Sequence, residues 1–232
     1  MKKILLFGLS LLTLFFFSTY LSAQSPALTH PNTSDPGWVD LFKPDLSNAI
    51  FPNKVWSLKD GIFTATKDEA LWSEKMYDDF IVDLEFKTVK GSNSGVFVHG
   101  SDLQNATENS VEIQITDDFD KEWANSPPDW QCAAIFGHQS PTIHNVKKPG
   151  EWNHYTITCI GRKIWVVLNN ELVNVCDLSL FTSGKKNPDG TDIPEWLSKP
   201  YAEIALKGHV GFQGKHAGKP IYFRNIKIKE LK

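Results

Sequence analysis

The sequence lacks an excess of positive charge, a nucleotide-binding fingerprint and any internal repeat. Its 24 Lys and Arg residues and 27 Asp and Glu residues leave a formal net charge of −3. A mildly acidic chain has no electrostatic attraction to nucleic acid or to an anionic membrane, so we expect neither as a partner. Without a glycine-rich phosphate-binding motif, no nucleotide cofactor is expected either.

Cysteine is also scarce, with only three in the chain, namely Cys132, Cys159 and Cys176. Their spacing resembles no zinc site. Export would permit a disulfide, and Cys159 and Cys176 lie near the ends of two runs that could pair across strands. Isolated buried thiols explain the same residues equally well because the count is odd.

The N-terminus begins with MKK and continues as a long apolar run that ends at Ala23. This pattern predicts a secretory signal peptide over residues 1–23, and therefore an exported chain. If the segment stays uncleaved, it is the chain's only expected contact with a membrane. Residues 24–36 are polar and rich in proline, which predicts a flexible leader before a domain over residues 37–232.

Beyond the leader, no stretch keeps a helical period, and short apolar runs recur between turn residues. Asp60-Gly61 and Asn169-Asn170 are typical of tight hairpin turns. The spacing predicts an all-β fold, a two-sheet antiparallel sandwich of jelly-roll type. The predicted strands cover residues 38–42, 54–58, 61–66, 70–73, 80–89, 94–100, 111–116, 132–137, 152–161, 163–170, 171–178, 209–214 and 221–231.

Two irregular segments, residues 118–131 and 179–208, are long for turns, and such loops often carry function. We expect one short helix within residues 193–204 of the second segment. Eight tryptophans in the chain suit either core packing or stacking on sugar rings, and Trp130 in the first loop is a candidate for the latter.

The run SVEIQITDD, which starts at residue 110, carries the most informative polar pattern. On a regular strand Glu112 and Gln114 share one face, and the intervening isoleucines fill the other. The polar row then faces a solvated cleft or a plain exposed sheet surface. Asp117 joins that row only if the strand bulges.

The spacing Glu-x-Gln-x-x-Asp is similar to the Glu-x-Asp-x-x-Glu pattern of retaining endo-β-glucanases. Those enzymes need two carboxyl groups at about 5 Å, one as nucleophile and one as acid. Here Gln114 occupies the position of the middle acid, which weakens the glucanase interpretation. Glu112 and Asp117 remain as the pair of carboxyl groups.

Polar residues also gather at the ends of other predicted strands. An isolated histidine is more often structural than functional, and no ligand spacing is diagnostic of a metal. The sequence therefore leaves open whether the protein binds a divalent metal. The residues are Asn93, His99, Trp152, Asn153, His154, His209, Gln213, His216, Arg224 and Asn225.

Taken in order, these stretches resemble the 3-keto-disaccharide hydrolase domain family over about residues 37–231. The motifs that carry the resemblance are GWVDLF, DFIVDLEFKTVKGSNSGVFVHG, EIQITDD, KPGEWNHYTI, VVLNNELV, GHVGFQGKH and FRNIKIKEL. The resemblance implies a concanavalin-like jelly roll that acts on glycosides oxidised at C3, in the periplasm or outside the cell. It also implies a separate sugar 3-oxidoreductase as pathway partner.

By the same resemblance, Glu112, Gln114, Asp117, His209, Gln213 and His216 map onto site positions. The chain departs from the family at His99, where arginine is common, which puts carbonyl binding in doubt.

A ketone at C3 acidifies the C2 proton, so a base can remove it and the C1 aglycone can leave. We expect Glu112 or His209 as base and Asp117 as leaving-group acid. His99, His216 or a divalent ion would polarise the ketone. Further substrate-binding candidates are Asn93, Gln114, Trp130, Gln213 and Arg224. A non-catalytic carbohydrate-binding module and a conventional endo-β-glucanase remain as alternatives.

Overall fold

The computed structural model describes residues 25–231, and its strands form two antiparallel sheets. This confirms the predicted all-β, two-sheet jelly-roll sandwich. The signal peptide predicted over residues 1–23 lies outside the described residues. The strands are β1 Trp38–Asp40, β2 Ala49–Ile50, β3 Trp56–Lys59, β4 Ile62–Ala65, β5 Leu71–Tyr77, β6 Phe80–Thr88, β7 Asn93–Gly100, β8 Val111–Thr116, β9 Trp152–Ile160, β10 Lys163–Leu168, β11 Glu171–Asp177, β12 Gly208–Phe212 and β13 Ile221–Glu230.

The larger sheet has eight strands in the order β11-β10-β9-β6-β13-β4-β3, and β1 also pairs with β13. The smaller sheet has five strands in the order β2-β5-β12-β7-β8. Among residues 25–231, no helix is both long and apolar enough to cross a membrane.

Apolar residues on alternate positions of each strand form the core between the two sheets. In β8 the side chains of Ile113 and Ile115 are fully buried there, as the alternation predicted. Tyr155 of β9 crosses the core, and its hydroxyl donates a hydrogen bond to the Gln114 carbonyl at 2.8 Å. A side chain of the larger sheet thus fixes the strand of the smaller sheet that carries Glu112 and Gln114.

The two predicted hairpin turns are present. Asp60 and Gly61 join β3 to β4 with φ of 52° and 75°, and Asn169 and Asn170 join β10 to β11 with φ of 49° and 73°. Positive φ at both central residues is the conformation that these residue types favour in tight hairpins.

Two local predictions were wrong. Residues 132–137 form turns rather than a strand, because Ala133 and Gly137 adopt positive φ. The segment 193–204 holds two 3-10 turns in place of one helix, since Pro200 interrupts it. The helical segments are α1 Lys121–Ala124 and the 3-10 turns Leu103–Asn105, Pro128–Trp130, Leu178–Leu180, Glu195–Leu197 and Tyr201–Glu203.

The leader forms no helix or strand over residues 25–36 and lies on the outer face of the larger sheet. The Ala27 amide donates to Thr158 Oγ1 at 3.2 Å, and His30 Nδ1 lies 2.8 Å from Thr156 Oγ1. The Asn170 amide donates to His30 Nε2 at 3.0 Å. These contacts hold the leader against β9 and the β10–β11 turn.

All three cysteines are free and buried. Cys159 and Cys176 are both in register with Ile164, from opposite sides of β10. One strand therefore separates them by about 9–10 Å, beyond the reach of a disulfide.

Candidate active site

A cavity of about 400 Å³ opens on the face of the smaller sheet that is turned away from the core. This volume is enough for a monosaccharide. We refer to it as the cleft. The residues that line it are Asn93, Phe97, Thr107, Glu112, Gln114, Trp123, Trp130, Phe136, Trp196, Gln213 and His216.

The register of β7 and β8 places the central cleft residues. Phe97 lies opposite Glu112, and Gly95 lies opposite Gln114. Side chains at every second position of the two strands face the cleft, because the residues between them belong to the core. The sequence predicted this row of Glu112 and Gln114 correctly.

Glu112 is the acidic residue among those lining the cleft, and its side chain lies across Gly95. A methyl group on Gly95 would come within 2.7 Å of Glu112 Cγ and 2.8 Å of its Cδ, so the close approach requires glycine. Within the described part of the chain, the Glu112 carboxyl has no hydrogen-bond partner. Burial, and to a lesser extent the negative charge of Asp68, raises the pKa of Glu112 to about 8.

His216 lines the cleft beside β7, where it bridges to Asn93. Its Nδ1 lies 2.7 Å from Asp68 Oδ2. A carboxylate partner favours the proton on Nδ1, which leaves Nε2 with the lone pair. The pair therefore has the arrangement of an oriented general base, in the same cleft as a carboxyl group that keeps its proton at neutral pH.

Three buried polar atoms at the cleft wall have no hydrogen-bond partner among residues 25–231, namely Gln114 Oε1, Gln213 Oε1 and Trp123 Nε1. The Gln114 amide nitrogen lies 3.3 Å from both Asn93 Oδ1 and the Trp130 carbonyl. Unsatisfied buried polar groups are costly, so such atoms are typical of a wall that a bound polar ligand completes.

Aromatic rings form one side of the cleft. Trp130 lies 5.2 Å from Phe136 and 6.1 Å from Trp196, measured between ring centroids. Trp196 is more than half exposed. Amphipathic rings of this kind pack against the C–H faces of sugars while the polar side chains bind hydroxyl groups.

Comparison with known proteins agrees with the sugar-sized cleft. The pattern of the 3-keto-alpha-glucoside-1,2-lyase-like domain matches residues 37–229. The chain belongs to this family. No curated protein matches the chain significantly.

Solved structures similar to this lyase-like domain include two candidate glycosyl hydrolases from Parabacteroides distasonis. One is 50% identical with a TM-score of 0.81, and the match covers 84% of this chain and 99% of that one. The other is 22% identical with a TM-score of 0.69, covering 84% and 94%. A Bacillus subtilis protein of unknown function with a galectin-like fold shares the architecture at 11% identity and a TM-score of 0.51, covering 83% and 94%.

Six of the ten residues predicted for the site line the cleft of the lyase-like domain, and four do not. The six are Asn93, Glu112, Gln114, Trp130, Gln213 and His216. Asn93, Glu112 and Gln114 lie on β7 and β8, Gln213 and His216 follow β12, and Trp130 lies in the long loop after β8.

Asp117 and His209 are not brought to the cleft. Asp117 is buried after the end of β8, where its oxygens accept hydrogen bonds from the Gly91 and Phe119 amides at 2.9 and 3.1 Å. No bulge turns it into the polar row. His209 Nδ1 lies 2.7 Å from the Ser73 carbonyl. Trp72 covers Gly211, the next outward position along β12, and so stands between His209 and the cleft.

His99 and Arg224 also lie elsewhere. His99 is fully buried against Phe80 of the core, because a φ of 59° turns its side chain away from the outer face of β7. Its Nδ1 contacts the Leu206 carbonyl. Arg224 lies on the outer face of the larger sheet, where it pairs with Glu85 at 2.8 Å.

Asp68 is a charged residue of the site that the sequence analysis missed. It lies in the turn before β5, 148 positions from His216, and no local pattern marks it. Phe97 and Trp196 were also missed, because in the sequence an apolar residue cannot be distinguished from a residue of the hydrophobic core.

Among the described residues, the one cluster of three groups close enough to share a metal is His30, Asp83 and His154. It lies on the larger sheet, away from the cleft. Its atoms are engaged in hydrogen bonds, since Asp83 Oδ1 lies 2.9 Å from His154 Nε2 and Asp83 Oδ2 accepts from Thr156 at 2.5 Å. The stacked His30 and His154 rings, 3.6 Å apart, do not direct their lone pairs at one point.

Proposed function

We propose that this chain cleaves glycosides already oxidised to the ketone at C3. The proposal rests on one observation above all: Glu112, whose pKa is raised by burial to about 8, lies in the same cleft as the His216–Asp68 pair. Membership of the lyase-like family supports the substrate class.

In the first step His216 acts as the base. Its Nε2 takes the proton from C2, which the neighbouring ketone has acidified, and the C–H electrons form the C2–C3 enolate. Asp68 stabilises the imidazolium that results. The indole N–H of Trp123, without a partner at the cleft wall, is available to the C3 oxygen as negative charge develops there.

In the second step Glu112 acts as the acid. The enolate electrons return to form the C3 ketone and a C1–C2 double bond, and the bond from C1 to the leaving oxygen breaks. Glu112 transfers its proton to that oxygen. A carboxyl whose pKa is about 8 carries this proton at neutral pH, as general-acid catalysis requires.

Addition of water would then complete a net hydrolysis. The Glu112 carboxylate takes a proton from water as the oxygen attacks C1, and the His216 imidazolium returns a proton to C2. Both residues regain their starting protonation states. Release of the unsaturated product before this addition would instead make the enzyme a lyase.

The ketone must be made elsewhere. Cleavage of a 3-keto-glycoside requires an earlier oxidation of the C3 hydroxyl, so a separate sugar 3-oxidoreductase would supply the substrate. An exported location, periplasmic or secreted, would place the chain where external glycans are processed.

The deciding experiment compares release of a chromogenic aglycone from a glucoside and from its 3-keto counterpart. We expect release from the oxidised substrate alone. Each reaction is run with and without a chelator. Loss of activity on chelation would show that a divalent metal, and not Trp123, polarises the C3 ketone. Cleavage of the unoxidised glucoside would favour a conventional glycosidase, and no cleavage of either would contradict the proposal.

Two variants test the residue roles. Glu112→Gln and His216→Gln should each lower kcat by about 10²–10⁴-fold, the usual contribution of general acid–base catalysis. Glu74→Gln and His144→Gln are matched controls, since both residues are exposed and outside the cleft. Near-normal turnover in either cleft variant would remove that residue from the mechanism.

A binding module without catalysis is the second candidate, favoured by the exposed Trp196 beside Trp130. It predicts sugar affinity that survives Glu112→Gln and His216→Gln but falls in Trp196→Ala. Isothermal titration with an unoxidised disaccharide distinguishes it from the enzyme.

A further inference from the structure

A second cavity of about 500 Å³ adjoins the cleft, and we refer to it as the outer pocket. Trp130 and Trp196 line both cavities. Most of the outer pocket is built by the two long loops, residues 118–131 and 179–208, and His138 and Ser140 complete it. The residues that line it are Pro127, Pro128, Asp129, Trp130, His138, Ser140, Asp189, Thr191, Asp192, Ile193, Pro194 and Trp196.

His138 lines the outer pocket, and one of its ring nitrogens has no partner among residues 25–231. Its side chain is almost completely buried and stacks on Tyr201, with ring centroids 3.7 Å apart. Nδ1 lies 2.9 Å from the Phe136 carbonyl, so this nitrogen carries the proton. Nε2 keeps its lone pair and has no partner among the described residues. Burial also lowers the pKa of His138 to about 4, which keeps the ring neutral.

The charged residues of the outer pocket are all acidic. Asp189 accepts hydrogen bonds from Thr191 at 2.6 and 2.9 Å, and Asp192 pairs with Lys186 at 2.7 Å. Asp129 is partly buried, and desolvation raises its pKa. Within residues 25–231, no Lys or Arg lines the pocket, so its walls offer acceptors and negative charge to a ligand that brings donors.

We propose that the outer pocket binds the leaving group of the substrate, a neutral, hydroxyl-rich second sugar, and that it rejects sugars bearing a carboxylate. The inference rests on the proposed function, because it assumes that the oxidised ring occupies the cleft. The leaving sugar then passes Trp130 and Trp196, stacks on the exposed indole and donates hydroxyl protons to Asp129 and His138. A carboxylate in this pocket would lose its hydration and would be repelled by the negative charge of Asp129.

Three substrates test this assignment, the 3-keto-glucosides whose leaving groups are methanol, glucose and glucuronic acid. Each is assayed with the wild-type chain and with Asp129→Asn, Trp196→Ala and the exposed-turn control Asp60→Asn. The methyl substrate does not reach the outer pocket and therefore reports the cleft alone. Glucose and glucuronic acid provide matched leaving hydroxyl groups.

We expect kcat/KM of the wild type to be about tenfold or more higher for the glucose leaving group than for glucuronic acid, because burying an unpaired charge is unfavourable. Asp129→Asn should reduce this preference about tenfold, and Trp196→Ala should lower kcat/KM for the glucose substrate by a similar factor. Asp129→Asn should leave kcat/KM for the methyl substrate unchanged, and Asp60→Asn should change none of the three values. Because Trp196 also lines the cleft, Trp196→Ala is judged by the ratio of kcat/KM for the glucose substrate to that for the methyl substrate, which should fall.

The outcomes separate the two proposals. If the methyl substrate is cleaved, but Asp129→Asn leaves the preference for glucose over glucuronic acid unchanged and Trp196→Ala leaves the ratio of the glucose to the methyl substrate unchanged, the outer pocket is not the leaving-group site. If none of the three substrates is cleaved, the proposed function fails and this inference fails with it.

Discussion

At the scale of single residues, Glu112 shows how a fold can hold a proton for chemistry. Glu112 is half-buried in the cleft, and no hydrogen bond to the ionised form compensates for the hydration that its carboxyl has lost. The pKa therefore rises to about 8. Such a group destabilises the folded chain at neutral pH, a cost typical of functional sites.

Glu112→Gln should therefore stabilise the protein while it removes turnover. Between pH 4.5 and 8 the unfolded chain loses the Glu112 proton and the folded chain keeps it, so wild-type stability falls as the pH rises. At pH 8 the free energy of unfolding of Glu112→Gln should exceed that of the wild type by about 1–3 kcal/mol, discounted for partial exposure to the cleft.

Thermal unfolding from pH 4 to pH 8.5 measures this difference. The gap between the two melting temperatures should open above about pH 4.5, whereas Glu74→Gln should follow the wild type throughout. Parallel curves for wild type and Glu112→Gln would show that Glu112 ionises normally.

At the scale of the element, β8 was the most predictable part of the site and its flanks the least. Strand alternation alone assigns Ile113 to the core and Glu112 to the outer face, because the period of a strand is two. Asp117 follows the end of the strand, where this period stops and backbone amides decide the direction of the side chain. The prediction for His99 was wrong for a similar reason, since a positive φ turns its side chain to the opposite face of β7.

The leader should detach from the larger sheet as the pH falls. Burial and the neighbouring His154 and Lys147 lower the pKa of the docked His30 to about 4, and Asp83 opposes the shift only partly. The docked state favours neutral His30, so docking is complete above the ordinary histidine pKa of about 6.5 and weakens as the pH falls from there toward 4.

Hydrogen exchange of the Ala27 and Asn170 amides follows this docking, because Thr158 and His30 accept their hydrogen bonds. Protection factors at both amides should fall together between pH 6.5 and 4. In His30→Ala the Asn170 protection should be lost at every pH, and in the exposed-site control His144→Ala it should match the wild type. Constant protection in the wild type would contradict the prediction.

At the scale of the whole molecule, the sandwich brings distant parts of the chain to one face. Asp68 and His216 are far apart in sequence yet adjacent in space, and the loops after β8 and β11 bring Trp130 and Trp196 together. The core, with its fully buried aromatic and aliphatic side chains, sets these distances without any crosslink.

The protein should accordingly be independent of reductant. Unfolding under non-reducing conditions should expose three thiols to an alkylating reagent, detected as three added labels by mass spectrometry. Dithiothreitol should leave the melting temperature unchanged, because removing a native disulfide typically costs several kcal/mol and none is present here. A single label would instead indicate a disulfide.

The sequence by itself determined most of the strands, the two-sheet architecture, the family and the outward-facing row of β8. Each of these follows from local periodicity, turn chemistry or the order of motifs along the chain. Only the tertiary structure decided which polar residues share the cleft. Strand pairing and backbone dihedral angles bring Asp68 to His216, turn His99 inward and leave Asp117 bound to backbone amides, and none of these depends on neighbours in sequence.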